Sequence, residues 1–388
     1  MTQSGPERFE VAVVGGGAAG VAAALTAAIA GRSTVLFAPP ASFPPGRTAA
    51  LLGASIDLLS DLDVWPALER HAAPIAAIRL VDATARLIRA PEVTFYASEL
   101  RLPAFGFNVP NGDLVDGLTR HAAVFPGLTI VPSPVESIVP GETEVTLCAP
   151  GKDYAARLVV AADGARSLAR EAAGIRIVKW RYPQSAVVAT LAVRYPHQGV
   201  STEFHTEHGP FTLVPLPGDR VSLVWVDKPA EAERALALSP ADFAREVEKR
   251  ARSIHGAMTL DSKPAIFPLA ATLAERFSAR RIVLVGEAAH VFSPIGAQGL
   301  NLGFRDVRAL KHVLVRHAGD PGAPAALTAY HEARQTDVRT RTLAVDLLNR
   351  SLLTDFLPVQ FVRSVGLSLA SSVPVVRRAL MQRGLSPA

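Results

Sequence analysis

The stretch FEVAVVGGGAAGVAAALTAAIAGRSTVLF, residues 9–37, decides how this chain begins to fold. Phe9 to Val14 is an apolar run that reads as a buried strand, and it enters the glycine turn Gly15-Gly16-Gly17-Ala18-Ala19-Gly20. An alanine-rich stretch to Ala30 predicts a helix, Gly31 ends it, and Thr34 to Phe37 is a second strand. Strand, turn, helix and strand within about 30 residues is the unit that opens a dinucleotide-binding fold. Each glycine has a job in that reading. Gly15 permits the tight turn, Gly17 lets the backbone approach a pyrophosphate, and Gly20 lets helix and strand pack closely. Ala18 and Ala19 then lie at the helix N-terminus, where free N–H groups and a partial positive charge suit a phosphate.

Such folds commonly place an acid after the second strand to hold ribose hydroxyls, but this chain has Ala38-Pro39-Pro40 there. That argues against a nicotinamide dehydrogenase. Arg47, with Thr48 beside it, is the candidate for the adenosine end or the phosphates. Further along, Leu158 to Ala161 reads as a short strand running into Asp163-Gly164, a place for a carboxylate and bare backbone beside a cofactor; a plain Asp-Gly turn is the other reading.

A third stretch joins these. Gly286-Glu287-Ala288-Ala289-His290 follows the apolar strand Ile282 to Val285 and leads to Ser293-Pro294-Ile295-Gly296-Ala297-Gln298-Gly299-Leu300-Asn301-Leu302-Gly303. Glu287 offers a carboxylate to the hydroxyls of a polyol. The loop of glycines and proline lets backbone lie against a flat ring, and a helix starting near Leu300 aims its positive end there. His290, at a strand end, reads as structural.

Around these motifs, helices are expected over Ile56–Leu68, Asp113–His121, Pro240–Ile254 and most of 299–350, with alternating strands over Ile75–Phe95. Between residues 177 and 226 the pattern becomes period-two alternation (AVVATLAV, FTLVPL, RVSLVWV), an antiparallel sheet. The expected architecture is α/β: a discontinuous Rossmann-like cofactor domain (1–74, 100–175 and 270–345), an inserted antiparallel-sheet substrate domain (75–99 and 176–269), and a C-terminal helical segment (346–388).

In this order and spacing, the three motifs resemble those of flavin-dependent aromatic hydroxylases of the p-hydroxybenzoate hydroxylase fold. Within that class the chain resembles the ubiquinone-biosynthesis hydroxylases, over roughly residues 8–380. Supporting stretches are Arg47-Thr48-Ala49-Ala50-Leu51, Tyr182-Pro183-Gln184-Ser185-Ala186, Gly209-Pro210, Val214-Pro215-Leu216-Pro217, Phe267-Pro268-Leu269 and Gly299-Leu300-Asn301-Leu302-Gly303. It departs from the pattern at Ala38, at Glu287 where Asp is usual, and at Ala297, inserted into a tighter turn. The resemblance implies FAD held by Gly15, Gly17, Ala18, Ala19, Gly20, Arg47, Thr48, Asp163, Gly164, Gly286, Glu287, Ala288, Pro294, Gly299, Leu300 and Asn301. It implies NAD(P)H as reductant and O₂ as oxygen source. Pro294, Ile295 and Gly296 would border the reactive edge of the ring, and Asn301 its pyrimidine side. Substrate contacts are expected from among Tyr182, Gln184, Phe211, Trp225 and Phe267, each of which also has a reading as plain core.

Composition narrows partners and place. The net charge of +5 is spread along the chain without an aromatic-basic stripe, so nucleic acid is not expected. No apolar run is long enough to span a bilayer, and the start shows no secretory signal. The single cysteine, Cys148, permits neither an internal disulfide nor a zinc cluster. These features fit the cytoplasm, with contact at the inner face of the membrane if the tail provides it. From Leu347 to Leu385, apolar residues alternate with Arg350, Arg363, Arg377, Arg378 and Arg383 against one acid, Asp355. Either a helical hairpin packs on the cofactor domain, or a basic amphipathic surface touches an anionic membrane. The leading expectation is a monooxygenase acting on a prenylated phenol, alone or beside other quinone-biosynthesis proteins. A hydroxylase of soluble aromatics or polyketides, and a non-catalytic scaffold, are the alternatives. Trp65, Trp180 and Trp225 are too scattered for a flavin halogenase.

Overall fold

The computed structural model describes residues 5–40, 46–84, 91–292, 298–353, 377–378 and 381. The opening unit forms as its sequence dictates. Strand Glu7–Val14 lies at the centre of a largely parallel sheet, between Thr34–Phe37 and Lys152–Ala161, with Leu128–Val131 and Ile282–Leu284 outside them. Its last four residues are buried on both faces, which is why they read as an unbroken apolar run. Helix Ala18–Ile29 packs on one side, and its small residues from Gly20 to Ala28 are buried.

Lys152–Ala161 is longer than the expected strand at 158–161. It pairs parallel with Glu7–Val14 from Tyr154 to Ala161, and on its other side its first half pairs antiparallel with Val145–Ala149, which in turn pairs with Ser137–Pro140. A three-strand meander is thus grafted onto the nucleotide-binding sheet. The expected helix at 56–68 is two helices, Gly53–Asp61 and Trp65–Leu68, separated by Asp63 at φ 55°. The helical region after 298 is also two helices, Gln298–Arg316 and Pro324–Leu353, broken at the Gly319 to Gly322 turn. Helix Pro240–Arg250 stops short of Ile254 because Arg252 and Ser253 both take left-handed backbone.

The second sheet is mainly antiparallel. It runs from Ala265–Ala274 through Ile177–Val193, Arg220–Asp227, Gly209–Leu216 and Val200–Thr206 to Ala77–Asp82 and Val93–Tyr96. Ile177–Val193 slips register between Arg181 and Ser185, so Pro183 sits at a bulge, where a missing N–H costs little. One face of this sheet carries a core of its own. Phe204, Phe211, Trp225 and Phe243 interlock there with ring centroids 5.8–6.3 Å apart, covered by helix Pro240–Arg250.

The other face turns to the cofactor domain through a small third sheet of Thr48–Leu52, Gly106–Pro110 and Ala73–Pro74. The Thr48 hydroxyl donates to Ser222 Oγ at 2.9 Å, and the buried Asn108 amide donates to the Pro215 carbonyl.

Candidate flavin and substrate site

Glycine geometry shows where backbone has been kept bare. Gly15 has φ +121°, and a Cβ there would lie 2.2 Å from the Ala162 carbonyl oxygen. A Cβ on Gly20 would lie 2.0 Å from the Gly15 oxygen. Both glycines are therefore required by the fold itself. Gly17 is different: it caps helix Ala18–Ile29 with extended backbone (φ −73°), and a Cβ there meets nothing within 4 Å. Gly164 and Gly299 are equally unobstructed. The three motifs converge on one point. A Cβ on Gly303 would lie 3.3 Å from the Gly286 Cα and 3.5 Å from the Ala19 Cβ, so the first and third motifs touch where helix Gln298–Arg316 begins. Small residues here let the starts of helices Ala18–Ile29 and Gln298–Arg316 meet the Gly286 turn. This open, donor-rich cradle fits the phosphates and flat ring of FAD.

Polar side chains fix these loops from behind. Asp306 is fully buried; it accepts from the Gly286 N–H at 2.9 Å, from His290 Nε2 at 2.8 Å and from Arg334 Nε at 2.7 Å. Burial alone would raise the Asp306 pKa, but His290 and Arg334 hold it below the ordinary carboxylate range. Asp337, bonded to Arg305, Arg334 and Arg341, is likewise held down against its burial. Arg170 links the second and third motifs, donating to the carbonyls of Ala288 and Ala165.

Several expected site residues have tasks the sequence did not suggest. The Asp163 carboxylate is engaged inside its own loop, accepting from the Ser167 hydroxyl and the Ala169 N–H, so what faces outward at that turn is the backbone around Gly164. Asn301 uses its side chain as a staple: Oδ1 accepts from Leu52 N–H and Ser55 Oγ, and Nδ2 donates to the Ala50 carbonyl. A contact from Asn301 to a ring would come from its backbone N–H, and Leu300, one residue nearer the helix start, packs on the core. Arg47 is exposed and lies over the Phe267 ring at 5.2 Å, on the substrate sheet. Glu287 is exposed on a single helical turn, with its carboxylate turned away from the buried Gly286 and Ala288. Pro294, Ile295, Gly296 and the inserted Ala297 lie outside the described residues.

The substrate candidates divide by strand parity. Phe211 and Trp225 point to the far core, 1% exposed, and are not on the face towards the cofactor domain; their role is packing. Gln184 is buried, with its amide donating to the His208 carbonyl. Tyr182, whose hydroxyl accepts from Trp180, and Phe267 are on the near side, where Tyr182 packs with Ala186, Val224, Val226 and Leu269. Following register from Ser222 and Val224 to Thr212 and then Glu203 places an acid on that same face. Glu203 Oε1 is 2.7 Å from His205 Nε2, and Thr212 Oγ1 donates to Oε2 at 3.4 Å. The side chains are only 17% and 8% exposed. Sequence reading missed this pair, although acid and histidine two apart in a strand were a usable signal.

At the outer edge of this sheet, the tail's Arg377 bonds both Glu99 oxygens and covers the Phe95 ring at 4.8 Å, while Met381 packs with Ala97 and Phe105. Arg377 is therefore committed to the protein rather than free for a membrane. Arg363 and Arg383 lie outside the described residues. Among the described residues no helix is long and apolar enough to cross a membrane.

Comparison with known proteins agrees with this geometry. The FAD binding domain family matches residues 8–342. The chain is 32% identical to ubiquinone hydroxylase UbiL of Rhodospirillum rubrum, covering 99% of this chain and 91% of that protein. It is also 32% identical to the 3-demethoxyubiquinol 3-hydroxylase of Escherichia coli, covering 97% and 98%. Among solved structures, p-nitrophenol 4-monooxygenase PnpA of Pseudomonas putida shares the fold, with a TM-score of 0.78 at 20% identity over 98% of each chain.

Proposed function

Because this chain belongs to the FAD binding domain family, we propose that it is an FAD-dependent monooxygenase that hydroxylates the aromatic ring of a prenylated phenol in ubiquinone biosynthesis, using NAD(P)H and O₂. The observation that carries this reading is the near full-length similarity to two hydroxylases whose names specify ubiquinone or a ubiquinol precursor. The close approach of Ala19, Gly286 and Gly303 supports it. When bound, FAD supplies the two-electron reduction and oxygen activation that no side chain can.

The chain's own residues have three tasks in this reading. Gly17 and the start of helix Ala18–Ile29 would hold phosphate, and Glu287 would accept from hydroxyls of the cofactor. Val224, Ala186 and Leu269 keep the sheet face apolar, so that water is excluded from the reacting ring. Glu203 and His205 manage the proton. A carboxylate can only accept from Nε2–H, which leaves the Nδ1 lone pair to take the proton of a substrate hydroxyl while Glu203 stabilises the resulting imidazolium. Removing that proton raises electron density on the ring carbon to be oxygenated. We also propose that the substrate's prenyl chain brings the protein to a membrane surface at the inner face and beside other quinone-biosynthesis proteins.

The test begins with the visible spectrum of the purified protein before and after adding FAD. NADH or NADPH oxidation and O₂ uptake are then measured with a short-chain prenylphenol, and the product is examined by mass spectrometry. Flavin bands and a product one oxygen atom heavier are expected. A protein that leaves added FAD unperturbed overturns the enzyme reading, and a flavoprotein that hydroxylates only unprenylated aromatics overturns the substrate.

A further inference from the structure

A second cavity lies away from the substrate sheet, between helices Gln298–Arg316 and Pro324–Leu353. It has a volume of about 280 Å³, and every titratable side chain lining it is cationic or histidine: Arg305, Arg308, His312, Arg316, His317 and Arg334. Its floor is apolar, with Ala309 and Val313 from one helix and Ala329 and Ala333 from the other. Four of the polar residues recur at 305, 308, 312 and 316, the spacing that puts them on one helical face.

Two features separate this cavity from an ordinary solvated basic face. Arg305 is neutralised by Asp337, but among the described residues Arg308 has only the Ala54 carbonyl, and no acid pairs with Arg316, His312 or His317. Arg334 is 2% exposed; its Nε and Nη1 are bonded to Asp306 and Asp337, and its Nη2 has no acceptor at all. A buried guanidinium nitrogen without a partner is costly, and it asks for an anion.

We propose that this groove binds a phosphate ester carrying an apolar portion: the phosphate accepts from Arg308, Arg316 and the free Arg334 Nη2, and the apolar part lies on the alanine floor. Arginine forks match phosphate oxygens, and charge assistance strengthens the contact. Its source is either the headgroup of an anionic phospholipid or a soluble phosphate ester. The Arg334 that would receive it also holds Asp306, and through Asp306 the Gly286 turn, so the groove backs directly onto the flavin motif.

The experiment uses the FAD-loaded full chain. Inorganic phosphate is titrated by calorimetry, and sedimentation is measured with vesicles of phosphatidylcholine alone or mixed with phosphatidylglycerol. The variants are Arg316→Glu, on an exposed side chain, and Arg308→Gln. Saturable binding of phosphate, or of phosphatidylglycerol vesicles over phosphatidylcholine, is expected, weakened at least about tenfold by each variant with the flavin spectrum unchanged. Vesicle binding assigns the lipid, and phosphate binding without vesicles assigns the soluble ester. Failure to bind either, or binding that both variants leave intact, overturns the proposal.

Discussion

Two alanine substitutions three residues apart separate glycines kept for the fold from a glycine kept for the ligand. At Gly20 a new Cβ would lie 2.0 Å from the Gly15 carbonyl oxygen and 3.2 Å from the Ala162 Cβ. Strand and helix must move apart by about an ångström, and overpacking of that kind costs about 1–3 kcal/mol. At Gly17 the backbone is already in a region that alanine adopts, and the Cβ meets no protein atom. The lost N-cap preference costs at most about 1 kcal/mol, and the stiffer unfolded chain offsets part of that. Gly17→Ala is therefore expected to unfold in denaturant within about 1 kcal/mol of the parent, and Gly20→Ala measurably earlier. Flavin binding should reverse the order of severity relative to stability. A methyl at Gly17 keeps a phosphate from the helix N–H groups, and loss of one charge-assisted bond is worth about 1.5–3 kcal/mol, or roughly ten- to a hundredfold in Kd. The assay pairs denaturation of the apoprotein with quenching of flavin fluorescence on titration. If Gly17→Ala binds FAD as the parent does, or if it is the less stable of the two proteins, the reasoning about the cradle is wrong.

Asp306→Asn removes the charge that compensates Arg334 and His290 inside the protein, and breaking such a buried pair costs about 3–5 kcal/mol; a denaturation midpoint equal to the parent's would refute the network's role. Glu203→Gln is expected to slow hydroxylation by about a hundredfold or more, while NAD(P)H reduction of the flavin without substrate proceeds at the parent rate. His255 is buried; burial first, and then the charges of His197 and Arg79, push its pKa down against the opposing pull of the Tyr195 backbone. The unfolded chain thus binds a proton near pH 6.5 that the fold resists, so stability is full above about pH 6.5 and falls as pH drops towards the folded pKa. His255→Leu should flatten that slope in denaturation series at several pH values, leaving the smaller same-signed contribution of His331.

What the sequence revealed of the site was what backbone geometry imposes on residue choice. Gly15 and Gly20 could be read in advance because each marks a contact only hydrogen can make. Side-chain destinations were harder to read. Asp163 and Asn301 stand beside the motifs, but competing local donors claim them: Ser167 and Ala169 for one, Leu52 and Ser55 for the other. Arg220–Asp227 is apolar on both faces, so alternation could not say whether Trp225 or Val224 looked towards the cofactor domain; only the Thr48–Ser222 contact, 174 residues apart, decides it. Asp306 and Arg334 lie 28 residues apart on separate helices, beyond any local pattern.

Ala38 was the strongest argument for a scaffold, because the acid expected after the second strand is missing. The structure brings this position close to the glycine turn. A Cβ on Gly16 would lie 2.8 Å from the Ala38 Cβ, so the glycine turn and the end of strand Thr34–Phe37 are in close contact. Meanwhile the other end of the site retains its carboxylate in Glu287 and the buried Asp306 that braces the turn beneath it. A degraded site would be free to exchange such bracing as a whole for packed apolar residues, a replacement that is often neutral or stabilising even though breaking one partner alone is costly. Here His290, Asp306, Arg334, Asp337 and Arg305 are connected without a gap directly behind Gly286. That retention favours a working flavin site.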